Sequence, residues 1–137
     1  MAKILCVDDE PSLLRVYQDE LSEEGHEVIV ARDGKEALSL LSGENPHVVI
    51  LDIRMPNMDG LEALVALLGK NHTLPVILHS AYPEYKESFL TGGAEAFVLK
   101  GSDLTDLKRT IRKILDRRGV AAGDSAELPS KPGKKSP

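Results

Sequence analysis

Five short apolar runs recur along the chain, and between them apolar residues fall at helical spacing. The runs are Ile4–Val7, Val28–Ala31, Val48–Leu51, Val76–Leu78 (in a strand Pro75–His79) and Phe97–Leu99 (in a strand Glu95–Leu99). Val48–Leu51 is apolar at every position, without period-two alternation. That pattern marks a strand buried on both faces, as in a parallel sheet. After the first run, Pro11 stands where a first helical turn starts. Leu13, Val16, Tyr17 and Leu21 keep helical spacing, and Gly25 stops that helix. Asp33 caps a second helix that carries Ala37, Leu38 and Leu41 and stops at Gly43. Asp59-Gly60 opens a third, with Leu61, Leu64, Leu67 and Leu68 on one side and Gly69 at its end. A short helix runs from about Pro83 to Leu90 and ends near Gly92-Gly93. Asp103 caps a last helix with Leu104, Leu107, Ile111, Ile114 and Leu115 on one face and Lys108, Arg109, Arg112 and Lys113 on the other.

Five strands alternating with five helices predict an α/β fold. Short connections and right-handed crossovers then require a parallel sheet covered by helices on both faces. Four of the five runs end in a chemically capable residue: Asp8 and Asp9, Asp52, Ser80, and Lys100. The second run ends at Arg32 and Asp33 with no such group. A flavodoxin-like doubly wound sheet of order 2-1-3-4-5 accounts for the exception. It puts strand two at an edge and the ligand crevice between strands one and three. Residues 119–137 are rich in Gly, Ala, Ser, Pro and Lys and lack periodicity. The expectation is one domain over 1–118 and a disordered tail over 119–137.

Composition narrows the function. The chain has 137 residues, 42% of them hydrophobic, enough for a single core. No apolar run approaches the ~20 residues of a membrane span, so no membrane insertion is expected. Met1-Ala2-Lys3 leads straight into a strand, which predicts no signal peptide and a cytoplasmic protein. The single cysteine, Cys6, sits mid-strand and excludes an internal disulfide. Net charge is −5, with about −6 on residues 1–118 and about +1 on the tail. An acidic body argues against direct nucleic-acid binding. His26, His47, His72 and His79 share no metal-like spacing and receive no ligand role.

The strand-end residues permit one kind of chemistry. Three carboxylates within ~4–6 Å repel one another by about 3–4 kcal/mol per pair at an effective dielectric of ~20. A hard divalent cation with oxygen ligands relieves this, and Lys100 adds a further positive charge. A metal-loaded acidic crevice attracts phosphate, and Ser80 and Lys100 can meet its oxygens. Asp52, alone at the centre of the sheet, is the best phosphoryl acceptor.

At this point four motifs converge: Val7-Asp8-Asp9-Glu10, Leu51-Asp52-Ile53-Arg54-Met55-Pro56-Asn57-Met58-Asp59-Gly60, Ser80-Ala81 and Phe97-Val98-Leu99-Lys100. In this order and spacing the chain closely resembles the receiver domain of two-component response regulators, of the single-domain, chemotaxis-regulator-like kind, over about residues 2–118. The resemblance implies that Asp52 takes a phosphoryl group from a sensor histidine kinase or phosphotransfer protein. It implies Mg²⁺ (or Mn²⁺) held by Asp9, Asp52 and the main-chain carbonyl of Arg54, with Asp8 acting directly or through water. It makes Ser80 the switch hydroxyl, Phe97 the switch aromatic and Lys100 the phosphate-binding lysine. The face of helix four, strand five and helix five would then control a downstream protein, and the basic side of helix five lies there. Homodimerisation on phosphorylation stays open. The chain would not be an enzyme beyond its own phosphoryl transfer and slow self-dephosphorylation, which Arg54 and Tyr82 are placed to obstruct. One departure stands out: Gly101 follows Lys100 where the family usually has proline. A trans bond is expected there, since a non-proline cis bond costs ~2.5–4 kcal/mol.

Taken singly, each residue has a plainer role: Asp8 and Asp9 as helix caps, Asp52 and Ser80 as turn residues, Lys100 as a solvated charge, Phe97 as core. Three rivals remain. A metal-dependent aspartyl-phosphate phosphatase needs Asp-x-Asp after strand one, where this chain has Asp8-Asp9-Glu10. A flavodoxin-like mononucleotide binder needs a Ser/Thr/Gly-rich loop there. A phosphorylation-independent docking module would not need the intact acidic site.

Overall fold

The computed structural model describes residues 2–53 and 59–120. Its elements are β1 (Lys3–Val7), α1 (Pro11–Glu23), β2 (Glu27–Ala31), α2 (Gly34–Glu44), β3 (Val48–Leu51) and α3 (Gly60–Lys70), followed by β4 (Val76–Ser80), a 3₁₀ turn (Pro83–Tyr85), α4 (Lys86–Thr91), β5 (Ala96–Leu99) and α5 (Thr105–Arg117). The strands form one sheet in the order β2-β1-β3-β4-β5, and every neighbouring pair is parallel.

Side-chain alternation along the strands divides the core in two. Leu5, Val7, Val49, Leu51, Val76 and Leu78 pack with Ala37 and Leu41 of α2, Ala63, Leu64 and Leu67 of α3, and Phe89 of α4. Ile4, Cys6, Val48, Ile50, Ile77 and Val98 pack with Leu14, Tyr17 and Leu21 of α1 and Leu107, Ile111, Ile114 and Leu115 of α5. β3 is buried at all four positions, as its unbroken apolar run predicts.

Several details differ from the sequence expectation. The buried stripe of α1 is Leu14, Tyr17 and Leu21, and Val16 is 37% exposed. In α3 the buried stripe is Gly60, Ala63, Leu64 and Leu67, which turns Leu61 outward to 40% exposure. Neither Gly43 nor Gly69 stops its helix. α2 runs on to Glu44 because Asn45 adopts the left-handed conformation that closes it, φ 50°. The helix expected over Pro83–Leu90 divides into the 3₁₀ turn and α4. α5 starts at Thr105, and Asp103 accepts the Thr105 N–H at 3.0 Å from one position further upstream than expected. Past residue 118, Gly119 has φ 72° and Val120 packs on the α1/α5 core. The rest of the expected tail and Arg54 lie outside the described residues. Among the described residues no peptide bond is cis, as Gly101 predicts, and no helix is long and apolar enough to cross a membrane.

Two basic residues of α5 reach across to α1 and its C-terminal cap. Lys108 pairs with Glu20 at 2.9 Å and Arg112 with Glu24 at 3.1 Å. Exposed pairs of this kind contribute little stability, about 0–1 kcal/mol, but they orient the two helices that cover one face.

Asp33 caps the start of α2 as the sequence predicts. It accepts the Glu36 N–H at 2.8 Å, and the Glu36 carboxylate accepts the Arg32 N–H at 2.7 Å. Asp33→Ala should cost about 1 kcal/mol and lower the melting midpoint by roughly 4 °C. An unchanged midpoint in a thermal melt would show that this cap contributes nothing.

Candidate functional site

The sheet's hydrogen-bond ladder runs one residue beyond several strand ends, and those are the residues that matter. The Asp8 N–H donates to Ala31 O at 3.0 Å, Asp52 N–H to Val7 O at 3.0 Å, and Lys100 N–H to Ser80 O at 2.7 Å. The register that zips the apolar runs therefore also fixes the backbone of Asp8, Asp52 and Lys100 on one edge. Ser80 is itself the last residue of β4 and pairs with Leu99.

Asp8, Asp9 and Asp52 each bring a carboxylate oxygen to within 4.8 Å of the others. Asp8 is buried and Asp9 is exposed, while Asp52 keeps 9% exposure at the mouth. The Lys100 ammonium sits between two of them, 3.2 Å from Asp8 Oδ2 and 3.3 Å from Asp52 Oδ1. Asp8 Oδ1 also accepts the Glu10 N–H at 3.1 Å. Ser80 is fully buried, and its Oγ accepts the Tyr82 N–H at 3.0 Å.

The electrostatics follow from this arrangement. Burial pushes the Asp8 carboxyl above its ordinary range, and the Asp52 charge adds to it, against Lys100 and the Glu10 N–H. Burial likewise raises Asp52, with Lys100 and the Ile53 N–H pulling back and Asp9 pushing further up. For Lys100, burial favours the neutral amine, but Asp52 and Asp8 outweigh it and hold the ammonium. The donor set is all oxygen, convergent and short of positive charge. It fits a hard divalent cation.

Sequence reasoning brought Asp8, Asp9, Asp52, Ser80 and Lys100 to one edge, and the structure has them there. Asp8 and Asp9 do not cap α1. Its cap position is Glu10, and no side chain bonds the free N–H groups. Phe97 is half-buried beside Leu78 and packs on the α2/α3/α4 core, the sheet face that Ser80 shares. Two supporting features escaped the sequence reading. Gly60 donates to Ile53 O at 2.6 Å, and a Cβ there would lie 2.6 Å from Ile53 Cα and 2.8 Å from Asp52 O. Glycine is thus what lets α3 start directly against the backbone of Asp52; a glycine after an aspartate reads only as a helix start. The second is a hydrogen bond between Tyr17 and His79, 62 residues apart in sequence and inside the core.

Comparison with known proteins agrees with this geometry. Residues 4–112 match the family model described as response regulator receiver domain. A probable transcriptional regulator, ycf27, of Porphyridium aerugineum is 37% identical over 131 residues, 93% of this chain and 53% of its own length. The alkaline phosphatase synthesis transcriptional regulatory protein PhoP of Bacillus subtilis is 33% identical over 90% of this chain and 52% of its own length. The chain therefore spans about half the length of the curated relatives it matches. Among solved structures, the response regulator TrrA of Thermotoga maritima, in complex with Mg²⁺-BeF, is 37% identical with a TM-score of 0.79, over 84% of this chain and 100% of that one. Chemotaxis protein CheY4 of Vibrio cholerae is 31% identical with a TM-score of 0.78, over 84% and 99%.

The Gly60 contact yields a test. Gly60→Ala places a methyl group against backbone that cannot rotate away, so Asp52 or α3 must shift. The variant should lose about 1–3 kcal/mol of stability and bind Mg²⁺ more weakly. A variant with wild-type melting and wild-type Mg²⁺ affinity would show that the close approach is unimportant.

Proposed function

The chain belongs to the response regulator receiver domain family, and from that premise we propose that it is a phosphorylation switch whose acceptor is Asp52. The observation that carries this is the convergence of three carboxylates and one ammonium at the carboxyl edge of the sheet. An Asp52 carboxylate oxygen attacks phosphorus, the new P–O bond forms as the donor's P–N bond breaks, and the histidine nitrogen leaves with the electron pair. Positioning and charge neutralisation supply most of the catalysis in such a transfer. Asp9 and Asp52 would hold Mg²⁺ (or Mn²⁺), with Asp8 bound directly or through water and the Arg54 carbonyl expected from the resemblance alone. When bound, the ion neutralises charge on the phosphoryl oxygens.

Lys100 has three N–H donors, and Asp8 and Asp52 occupy two of them. The remaining donor is available to a phosphoryl oxygen. Ser80 lies one strand over from Asp52 and would turn toward the same group, with Phe97 following on the same sheet face. Converting a 1:99 equilibrium to 99:1 takes about 5.5 kcal/mol of differential interaction. New charge-assisted bonds from Lys100 and Ser80 are of the right order. α4 suits the moving part, since Phe89 is the one buried residue of its six. The donor would be a sensor histidine kinase or phosphotransfer protein, and the reader of the changed α4/β5/α5 face a downstream protein.

Two outcomes are expected. With acetyl phosphate and Mg²⁺, the wild type should shift on a phosphate-affinity gel, and neither Asp52→Ala nor a Mg²⁺-free reaction should. Full labelling of Asp52→Ala would place the acceptor elsewhere. The half-buried Tyr82 beside Ser80 should slow attack by water, so the phosphoryl group should outlast seconds and decay faster in Tyr82→Ala. A lifetime of seconds in the wild type would contradict this.

A further inference from the structure

On the face of the sheet opposite Ser80, behind the buried carboxylates of Asp8 and Asp52, a polar pair lies within the α1/α5 core. Tyr17 of α1 is 1% exposed and His79 of β4 is 3% exposed. Tyr17 Oη and His79 Nδ1 lie 2.6 Å apart, with the rings tilted by 57°. Tyr17 belongs to the core cluster that holds Cys6, Leu14, Ile50, Ile77 and Val98, and the charges of Asp8 and Asp52 act on its phenol. Burial, with the nearby Lys100 charge, holds the imidazole pKa down at about 4, so the ring is neutral around pH 7. Either tautomer closes the bond: the phenol donates to a bare Nδ1, or Nδ1–H donates to the phenol oxygen.

The pair meets β4 where the sheet holds it least. β3 pairs with Val76, Ile77 and Leu78 and then ends. His79 and Ser80 pair only with β5, through Val98 and Leu99. On the β3 side of this overhang lies the Asp52 site. Tyr17 supplies a tether from α1 at the residue next to Ser80.

We propose that the Tyr17–His79 hydrogen bond restrains the switch, by holding the overhanging end of β4, and with it the backbone of Ser80, in the resting position. The inference rests on the phosphoacceptor reading above. A hydrogen bond weakens steeply when stretched or bent, so any shift of the β4 end toward Asp52 works against this one. Tyr17 and His79 are positioning residues: they touch neither phosphoryl group nor metal, and they act through Ser80. If the bond acts through Ser80, its loss changes phosphoryl recognition more than metal binding.

That separation makes the test. Mg²⁺ affinity is measured alone, and beryllofluoride affinity is measured at saturating Mg²⁺, for the wild type, Tyr17→Phe and the double variant Tyr17→Phe/His79→Leu. The double variant removes both polar partners, so a fold lost in the single variant through an unpaired imidazole survives in it. Loss of one net hydrogen bond from the resting state should tighten beryllofluoride binding by roughly 2- to 10-fold and leave Mg²⁺ affinity within about twofold. Beryllofluoride binding in the double variant that is unchanged or weaker overturns the restraint. So does a parallel change in both affinities, which marks a distorted site. A wild type that binds Mg²⁺ but never responds to beryllofluoride overturns the phosphoacceptor reading itself, a result distinct from an unchanged variant beside a responsive wild type.

Discussion

The Lys100 ammonium, lodged between Asp8 and Asp52, is the contact on which the rest of the site depends. At an effective dielectric of ~20, each Lys100–carboxylate contact is worth roughly 5 kcal/mol of attraction, against about 3–4 kcal/mol for each carboxylate repulsion. Its two contacts roughly offset the mutual repulsion of the three acids and leave the cluster negative. The fold can therefore form before any ligand arrives, while the site stays short of one cation. Asp8 and Asp52 are both pushed above the ordinary carboxylate range by burial, and a second positive charge would relieve both.

Each part of the fold contributes to holding that arrangement. Parallel register carries the ladder one step past β1, β3 and β5 and so places Asp8, Asp52 and Lys100. Gly60 lets α3 begin against the backbone of Asp52. The two faces of β4 have separate tasks at its end. Ser80 looks toward the α3/α4 side, where the core is closed at α4 by Phe89, and His79 looks toward α1.

Much of this is legible in the sequence because it rests on local chemistry. Unbroken apolar runs announce buried parallel strands, and the one strand without a reactive end points to the strand order. Asp33 and Asp59 mark helix starts because an acceptor there meets N–H groups with no helical partner. Glycine is a weaker signal. Gly43 and Gly69 lie inside helices, since α2 ends at Asn45 and α3 at Asn71, whose side chain accepts the Thr73 N–H. Gly60 matters for a contact with residues seven and eight positions away. The choice of Leu14 over Val16, and of Ala63 over Leu61, depends on the rotation of a helix against the sheet, which spacing constrains only to one residue in three or four. Tyr17 and His79 each read as a core residue alone. Their bond exists because topology brings α1 over β4, and no local pattern encodes it.

The central claim concerns which carboxylate carries the phosphoryl group, and chemical mapping addresses it directly. Protein treated with acetyl phosphate and Mg²⁺ is reduced with borohydride, which converts an aspartyl phosphate to homoserine, and the peptides are read by mass spectrometry. The account predicts homoserine at position 52 alone. Homoserine at position 8 or 9, or at no position despite bound Mg²⁺, would contradict it.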